Sequence, residues 1–144
     1  LRSPNNPDPD ADQGKHQFSY SIFPHEHDLI RSNVIREAAC LNQIPIVFNG
    51  VRSNNNIPVN LNGNGLELTV LKKGEKEDYL IIRIVETCGR HSTGSLKLNG
   101  ALTECDFMEW NDTGSQTNVE GSVSLSFSPF EIKTFKFVTK VTPS

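Results

Sequence analysis

The chain has 144 residues, of which 35% are hydrophobic, enough to bury the core of one domain and too many for a disordered tail. Fourteen basic residues oppose seventeen acidic ones, and no segment concentrates positive charge, which argues against a nucleic-acid-binding protein. The longest apolar stretch, Tyr79–Val85, is far shorter than the roughly 20 residues of a membrane-spanning helix. We therefore expect neither nucleic acid nor a membrane as a partner.

The start of the chain and its cysteines suggest its context. Residue 1 is Leu, with no initiator Met or signal-peptide apolar segment, so we expect a piece of a longer polypeptide. The chain has three cysteines, an odd number, at Cys40, Cys88 and Cys105, and none of them has C-x-x-C spacing. This argues against a disulfide framework or a zinc knuckle. This usage favours the reducing cytoplasm. One Asn-x-Thr triplet, at Asn111, leaves a vacuolar, lysosomal or secreted location open.

The first third of the chain predicts a loop, a strand and a helix. Pro, Gly, Asn and Asp fill residues 1–15 and predict a loop. Apolar and polar residues then alternate through His16–Ile22, which predicts a strand with one buried face that Pro24 ends. Between Asp28 and Asn42 apolar residues recur at three- and four-residue steps, which predicts a helix with Ser32 as its N-cap and Pro45 as its stop.

Short strands follow the helix. Ile46–Phe48 predicts a short buried strand, and the Asn- and Gly-rich stretch Asn49–Asn64 is the best internal boundary. An alternating strand from Leu66, a turn at Gly74–Glu77 and a strand at Tyr79–Val85 predict a hairpin. Because its second strand is apolar on both faces, we expect it to be central in the sheet, where Arg83 needs a buried partner or a route to water.

Four further strands are predicted, separated by glycines and Pro129: Ser95–Leu98, Leu102–Glu109, Val119–Phe127 and Phe130–Val138. A phase change in the last one predicts a bulge near Lys133 and Thr134. The fold class is therefore mainly β, an antiparallel β-sandwich with one short helix near the N-terminus. We expect residues 1–64 to complete a larger β domain and residues 65–144 to form the sandwich.

Two clusters resemble metal or thiol sites. His25 and His27 on an extended segment could hold two metal positions beside Glu26, but no third ligand stands at a familiar spacing, so a loop imidazole bonded to the backbone is favoured. Cys88 precedes a basic residue and an imidazole, yet a turn after a strand explains it better. We predict no metal site.

Carboxylates and one aromatic residue are the remaining candidates. Glu86, Glu104, Asp106 and Glu109 could form an acid/base pair, but solvated or salt-bridged carboxylates are favoured, and which face of the strand through Glu104 is buried stays open. Arg83 and Glu86, three residues apart, are interpreted as structural ion pairing. Trp110 is the best surface candidate for a carbohydrate contact, and no catalytic residue is predicted.

Longer segments resemble a known family. Leu1-Arg2-Ser3-Pro4, Gly14–Ile22 and Pro24-His25 together resemble a block of the glycoside hydrolase family 38 α-mannosidases. Further blocks are similar to the same family in the same order: Val34–Asn42, Leu71–Glu86, Gly89-Arg90, Cys105–Glu109 and Pro129–Thr134.

This resemblance implies retaining hydrolysis of α-mannosides in a large N-terminal α/β domain that carries a zinc ion, an Asp nucleophile and an acid/base carboxylate. The present chain is similar to the C-terminal β region alone, and none of the family's catalytic or zinc motifs has a counterpart in it. The resemblance makes Arg83 and Glu86 a strand-end ion pair and Pro129 and Phe130 part of the core and a turn.

We therefore expect a non-catalytic C-terminal domain of a zinc-dependent retaining α-mannosidase, a structural support for the catalytic domain. Its expected partners are the N-terminal catalytic and central domains of the same chain and, through the whole enzyme, α-mannoside substrates. The alternatives are a carbohydrate-binding module, with Trp110 as its platform, and an interdomain or oligomer interaction domain.

Overall fold

A computed structural model describes residues 6, 8, 10, 13–29, 32–43, 47, 49–50, 59–75 and 78–140. The chain divides into two compact units, Leu1–Val47 and Phe48–Ser144. This division precedes the Asn-rich stretch, whereas the predicted boundary follows it. No helix among the described residues is long and apolar enough to cross a membrane.

The described residues of the first unit include one helix, α1 (Val34–Asn42). Its N-cap is Asn33, whose side chain makes no capping bond, and not the predicted Ser32. The Ser32 hydroxyl still accepts a hydrogen bond from the N–H of Val34 at 3.4 Å and donates one to the carbonyl of Leu29 at 2.9 Å. None of the helical residues is buried, so the apolar stripe of α1 is left without a packed core inside the described part of this unit.

The predicted strand at His16–Ile22 is wrong for this chain. The segment has no strand assignment, and Phe18, Tyr20 and Ile22 are 72%, 80% and 83% exposed. A strand needs a neighbour for its backbone groups and an apolar surface for its inner face, and no described residue supplies either. The N-terminal loop, Pro45 and the strand at Ile46–Phe48 lie largely outside the described residues, although Val47 is exposed.

The second unit is a six-stranded antiparallel sheet, and the mainly β prediction is confirmed. Its strands are β1 (Asn60–Asn62), β2 (Leu66–Lys73), β3 (Leu80–Glu86), β4 (Ser92–Cys105), β5 (Thr117–Phe127) and β6 (Ile132–Thr139).

The sheet curls because its end strands are neighbours in the chain. The order is β1-β4-β6-β3-β2, with β5 on the other edge of β4, so only residues 63–65 separate the two terminal strands of the path. At this turn Leu66 packs against Gly94 of β4, where an added Cβ would lie 2.5 Å from Leu66 Cδ1. The absence of a side chain at Gly94 thus allows β2 to approach β4.

Buried side chains from β3, β4, β5 and β6, together with Val59 just before β1, form one apolar core. Its members are Val59, Ile82, Ile84, Leu96, Leu98, Leu102, Val119, Phe127, Phe135 and Phe137. β3 pairs with β2 on one side and β6 on the other, which agrees with the predicted central position. Burial of each large aliphatic or aromatic side chain contributes about 1.5–3 kcal/mol.

Two of the predicted strands are one strand. Gly100, interpreted as a turn between Ser95–Leu98 and Leu102–Glu109, lies inside β4 and pairs with both Val119 and Thr139. An added Cβ there would lie 2.1 Å from the carbonyl oxygen of Val138. The glycine therefore permits a close approach of two backbones, and the strand ends at Cys105.

The predicted bulge in the last strand is also wrong. β6 pairs with β3 in continuous register from Ile132 to Phe137. Phe130 is out of phase because it lies in the preceding turn with φ +58°, exposed to solvent. Its predicted turn position is therefore observed, whereas a core position is not. The register shift occurs instead in β2, between Leu68 and Val70.

Glu86, the last residue of β3, is fully buried and holds two turns. One carboxylate oxygen accepts the N–H of Cys88 at 3.0 Å and the hydroxyl of Ser92 at 3.2 Å. The other accepts the N–H groups of Gly89 at 2.7 Å, Arg90 at 3.3 Å and Phe130 at 3.0 Å. We call these five donors the Glu86 cradle. It joins the β3–β4 turn to the β5–β6 turn.

The cradle replaces the ion pair predicted between Arg83 and Glu86. Residues three apart on a strand point to opposite faces, so the two side chains cannot meet. Burial by itself raises the pKa of Glu86, but the N–H groups of Phe130, Cys88, Gly89 and Arg90 together bring that pKa below its ordinary value.

We expect Glu86→Gln to lower the free energy of unfolding by about 3 kcal/mol, because an amide NH₂ would face backbone N–H groups in a fully buried site. Urea denaturation at neutral pH measures this loss. The control is Glu131→Gln in the β5–β6 turn, since the Glu131 carboxylate is partly exposed, accepts the N–H of Ser128 and lies 3.9 Å from Lys133 Nζ. Its cost should stay below about 1 kcal/mol. Equal effects of the two variants would contradict the role of the cradle.

The same pair of proteins gives a pH signature. A carboxyl whose folded pKa is lowered stabilises the fold fully above its unfolded pKa of about 4.3, and this contribution is lost as pH falls through the folded pKa. The stability difference between the wild type and Glu86→Gln should therefore be constant from pH 7 to about pH 5 and shrink at lower pH. A difference that grows on acidification would contradict it.

Candidate functional site

A groove of about 340 Å³ lies on the face of β3 opposite the core. One wall comes from the β2–β3 hairpin and consists of Lys72, Glu75, Tyr79 and Arg83. The other wall comes from the turn after β4 and consists of Phe107, Met108, Glu109 and Trp110. Alternation along β3 places Ile82 and Ile84 in the core and Arg83 on this other face.

An ion-paired triad forms the floor of the groove. Arg83 Nη2 donates to Glu109 Oε1 at 2.9 Å, and Lys72 Nζ lies 3.0 Å from Glu109 Oε2. The side chains of Arg83 and Glu109 are only 15% and 14% exposed, so both need the partner they have. The buried partner that the sequence required for Arg83 is therefore Glu109.

Arg83 also fixes the turn that carries Glu109. Its Nη2 donates to the carbonyl of Phe107 at 3.0 Å, its Nε donates to the hydroxyl of Thr134 at 3.1 Å, and its guanidinium lies 4.2 Å from the centre of the Phe107 ring. One planar side chain thus links β3, β6 and the turn, which the several donors of arginine allow.

Asp106 closes the same turn from within. Its carboxylate accepts the N–H of Trp110 at 2.9 Å, the N–H of Asn111 at 3.2 Å and the side-chain amide of Asn111 at 2.8 Å. The bond from Trp110, with those from Asn111, lowers the pKa of Asp106. Lys136 donates to the carbonyl of Trp110 and to Asp112, and Asp112 raises the pKa of Lys136. The turn is therefore held on both sides.

The turn that Arg83, Asp106 and Lys136 fix displays three large apolar residues within four positions. Phe107, Met108 and Trp110 are 60%, 60% and 63% exposed around Glu109, which adopts φ +67°. A glutamate in the left-handed region carries backbone strain, and the two ion pairs of Glu109 offset the energy of that strain. Trp110 therefore stands at the surface outside the strands, where the sequence placed it.

The other predicted clusters have structural roles. Nδ1 of His25 is hydrogen-bonded to the carbonyl of His27, as in the favoured interpretation of a loop imidazole bonded to the backbone. Among the described residues no three His, Cys, Asp or Glu side chains group closely enough to hold a metal ion, and His25, Glu26 and His27 are included in that statement. Cys88 lies in the β3–β4 turn, and its N–H donates to Glu86.

The open question about the strand through Glu104 is also answered. Cys105 faces inward and is buried, and burial raises the pKa of its thiol. Glu104 is partly exposed and lies 3.8 Å from Lys133. None of Glu86, Glu104, Asp106 and Glu109 lacks a bonded partner within the fold.

The sequence did not indicate Lys72, Tyr79 and Glu75 as parts of a site. Their common signal is weak, since it amounts to a charged or aromatic residue on the outward face of a hairpin. The partnership of Arg83 with Glu109 joins residues 26 apart in sequence, and no local pattern reports it.

Comparisons with known proteins agree with this architecture. Residues 65–135 match the family described as glycosyl hydrolases family 38 C-terminal beta sandwich domain. Alpha-mannosidase G of Dictyostelium discoideum is 28% identical to 96% of this chain, and alpha-mannosidase 2C1 of mouse and human are 27% and 28% identical to 100% and 99% of it. The chain spans only 14% or 15% of the length of these relatives.

The matched range runs from the turn before β2 into β6, so it contains the groove and Glu86. The resemblance found in the sequence is thereby confirmed. Over residues 65–135, the chain is similar to the glycosyl hydrolase family 38 C-terminal β-sandwich domains.

Proposed function

We propose that this chain is the non-catalytic C-terminal β region of a zinc-dependent, retaining α-mannosidase, and that it supports the catalytic domain. The observation that carries the proposal is the end-to-end similarity of the chain to 14% or 15% of the length of three α-mannosidases. A domain of this size within a much longer enzyme is expected to contribute packing surfaces.

The bonding of the carboxylates supports the non-catalytic part of the proposal. Glu86 accepts from five donors, Asp106 accepts from three, and Glu109 binds two cations. A general acid or a nucleophile in glycoside hydrolysis must be able to face the scissile bond. The described residues also supply no zinc ligand set, so we assign the zinc ion and the catalytic carboxylates to polypeptide outside this chain.

The exposed segment of the first unit supports the docking role. Phe18, Tyr20 and Ile22 alternate with Gln17, Ser19 and Ser21, and all three apolar residues are largely exposed. This alternation suits a strand that pairs with a sheet of another domain and buries one face against it. We propose that the preceding domains of the same enzyme provide that sheet.

The cysteines support a reducing compartment for the enzyme. Cys40, Cys88 and Cys105 are free, and Cys105 is buried with a raised thiol pKa. We accordingly propose a cytoplasmic location, since exposed thiols such as Cys40 persist in a reducing environment.

Hydrolysis of 4-nitrophenyl α-D-mannopyranoside tests the catalytic assignment. With zinc added, the complete enzyme containing this chain should release nitrophenol, and the 144-residue chain alone should give the rate of the blank. The chain should first be shown folded by circular dichroism. Turnover by the chain alone would contradict the non-catalytic role, and an inactive complete enzyme would contradict the α-mannosidase assignment.

Replacement of an exposed aromatic residue tests the docking surface. In the complete enzyme, Tyr20→Ser should lower the melting temperature by about 1 °C, because it removes a side chain whose burial contributes about 2 kcal/mol. In the 144-residue chain the same variant should leave the melting temperature unchanged. Ser19→Ala, on the opposite parity, is the matched control. An unaltered complete enzyme would exclude docking through this face.

A further inference from the structure

The groove between the β2–β3 hairpin and the turn after β4 has the size and the lining of a small-ligand site. Its volume of about 340 Å³ lies at the lower end of the range for small-molecule pockets, about 300–1,000 Å³. Such pockets combine an apolar surface with a few fixed polar groups. The apolar surface of this groove comes from Trp110, Met108 and Tyr79. Its polar groups are those of Glu109, Lys72 and Arg83.

The apolar rim is fixed before any ligand arrives. Asp106 holds the backbone of Trp110, Arg83 holds the carbonyl of Phe107, and Lys136 holds the carbonyl of Trp110. A fixed aromatic platform loses little entropy on binding. The flat C–H face of a pyranose ring is a natural partner for an indole ring, because its weakly positive hydrogens meet the negative face of the aromatic system.

The charges in the groove select against ionic ligands. Among the described residues that line the groove, Lys72 and Arg83 oppose Glu75 and Glu109, so these four charges cancel. An anion entering the groove would meet two carboxylates, and a cation would meet two basic groups. A neutral ligand rich in hydroxyl groups avoids both costs, since one hydroxyl can donate to a carboxylate and accept from an ammonium.

The Glu109 carboxylate is placed to receive such a hydroxyl. It has about four acceptor positions, and its contacts with Arg83 and Lys72 use one on each oxygen. Lys72 is 44% exposed at its side chain, so its ammonium faces both Glu109 and the solvent. Adjacent hydroxyls of a sugar match this arrangement of one acceptor beside one donor.

We propose that this groove binds one ring of a neutral glycan, stacked on Trp110, with hydroxyl groups bonded to Glu109 and Lys72. The groove would give the region a sugar contact of its own, beyond its structural role. The inference rests on the proposed α-mannosidase function only for the choice of mannosides as first probes.

Intrinsic fluorescence reads this site directly, because Trp110 is the one tryptophan of the chain. Titration of the 144-residue chain with methyl α-D-mannopyranoside should give a saturable change with a Kd of about 1–10 mM. Lys72→Met should weaken binding at least about fivefold, corresponding to roughly 1 kcal/mol. The matched control is Lys140→Met, whose ion pair with Glu120 lies at 2.6 Å outside the groove, and it should bind as the wild type does.

Trp110→Ala gives a second readout that does not need the fluorophore. Saturation-transfer NMR should show the sugar signal in the wild type and not in this variant, with circular dichroism confirming that the variant is folded. Sodium sulfate should neither bind nor compete. The wild-type response should also exceed that to an equal concentration of ethylene glycol, which has hydroxyls but no ring face.

Several results would overturn the inference. The absence of a saturable fluorescence change up to about 100 mM sugar, well above the expected Kd, would contradict binding. Equal affinity of Lys72→Met and the wild type, or a retained NMR signal in Trp110→Ala, would exclude the proposed contacts. Binding of sulfate in preference to the sugar would contradict a site for neutral ligands. These outcomes are separate from the test of hydrolysis. A groove that fails to bind sugar leaves the activity expected of the complete enzyme unchanged, and an inactive complete enzyme leaves the sugar titration unchanged.

Discussion

One buried carboxylate organises this β domain. Glu86 stands at the end of β3, where a charged side chain in an apolar interior would destabilise the fold by several kcal/mol if it were unpaired. Within the part of the chain that the structure describes, no basic side chain pairs with it. Four backbone N–H groups and the hydroxyl of Ser92 do so, and they come from two turns that lie far apart in the sequence. Because the buried charge needs these donors, the β3–β4 and β5–β6 turns must both keep their N–H groups within bonding distance of Glu86.

The cradle also orients the strand that separates the two faces of the sheet. With Glu86 anchored inward, the alternation of β3 directs Ile82 and Ile84 into the core and Arg83 to the opposite face. Arg83 donates hydrogen bonds to Glu109 and to the carbonyl of Phe107, and these bonds fix the turn that exposes Trp110. β3 therefore contributes side chains to both the core and the groove. The positions of Arg83, Glu109 and Trp110 in the groove depend on the packing of the core beneath them.

Sequence reasoning succeeded where a pattern is local. Alternation predicted β2 and β5, a continuous apolar run predicted β3, and shared segments predicted the family. It failed where a residue type has two physical uses. Gly100 has the composition of a turn, but its lack of a side chain serves the approach of Val138 inside a strand. Glu86 was predicted to pair with Arg83 because the two residues are three apart, but strand geometry directs their side chains to opposite faces. The backbone N–H groups that bind Glu86 instead cannot be recognised from the sequence. The strand at His16–Ile22 was predicted from a pattern whose partner is not among the described residues.

Native-state hydrogen exchange at the amide of Phe130 tests the central claim most directly. Phe130 is 70% exposed and lies in a turn, so its N–H would exchange rapidly if the Glu86 carboxylate did not accept it at 3.0 Å. The account predicts protection close to that of the β3 and β6 amides in the wild type, lost in Glu86→Gln. Exchange of the wild-type amide at the rate of an unstructured peptide would contradict it.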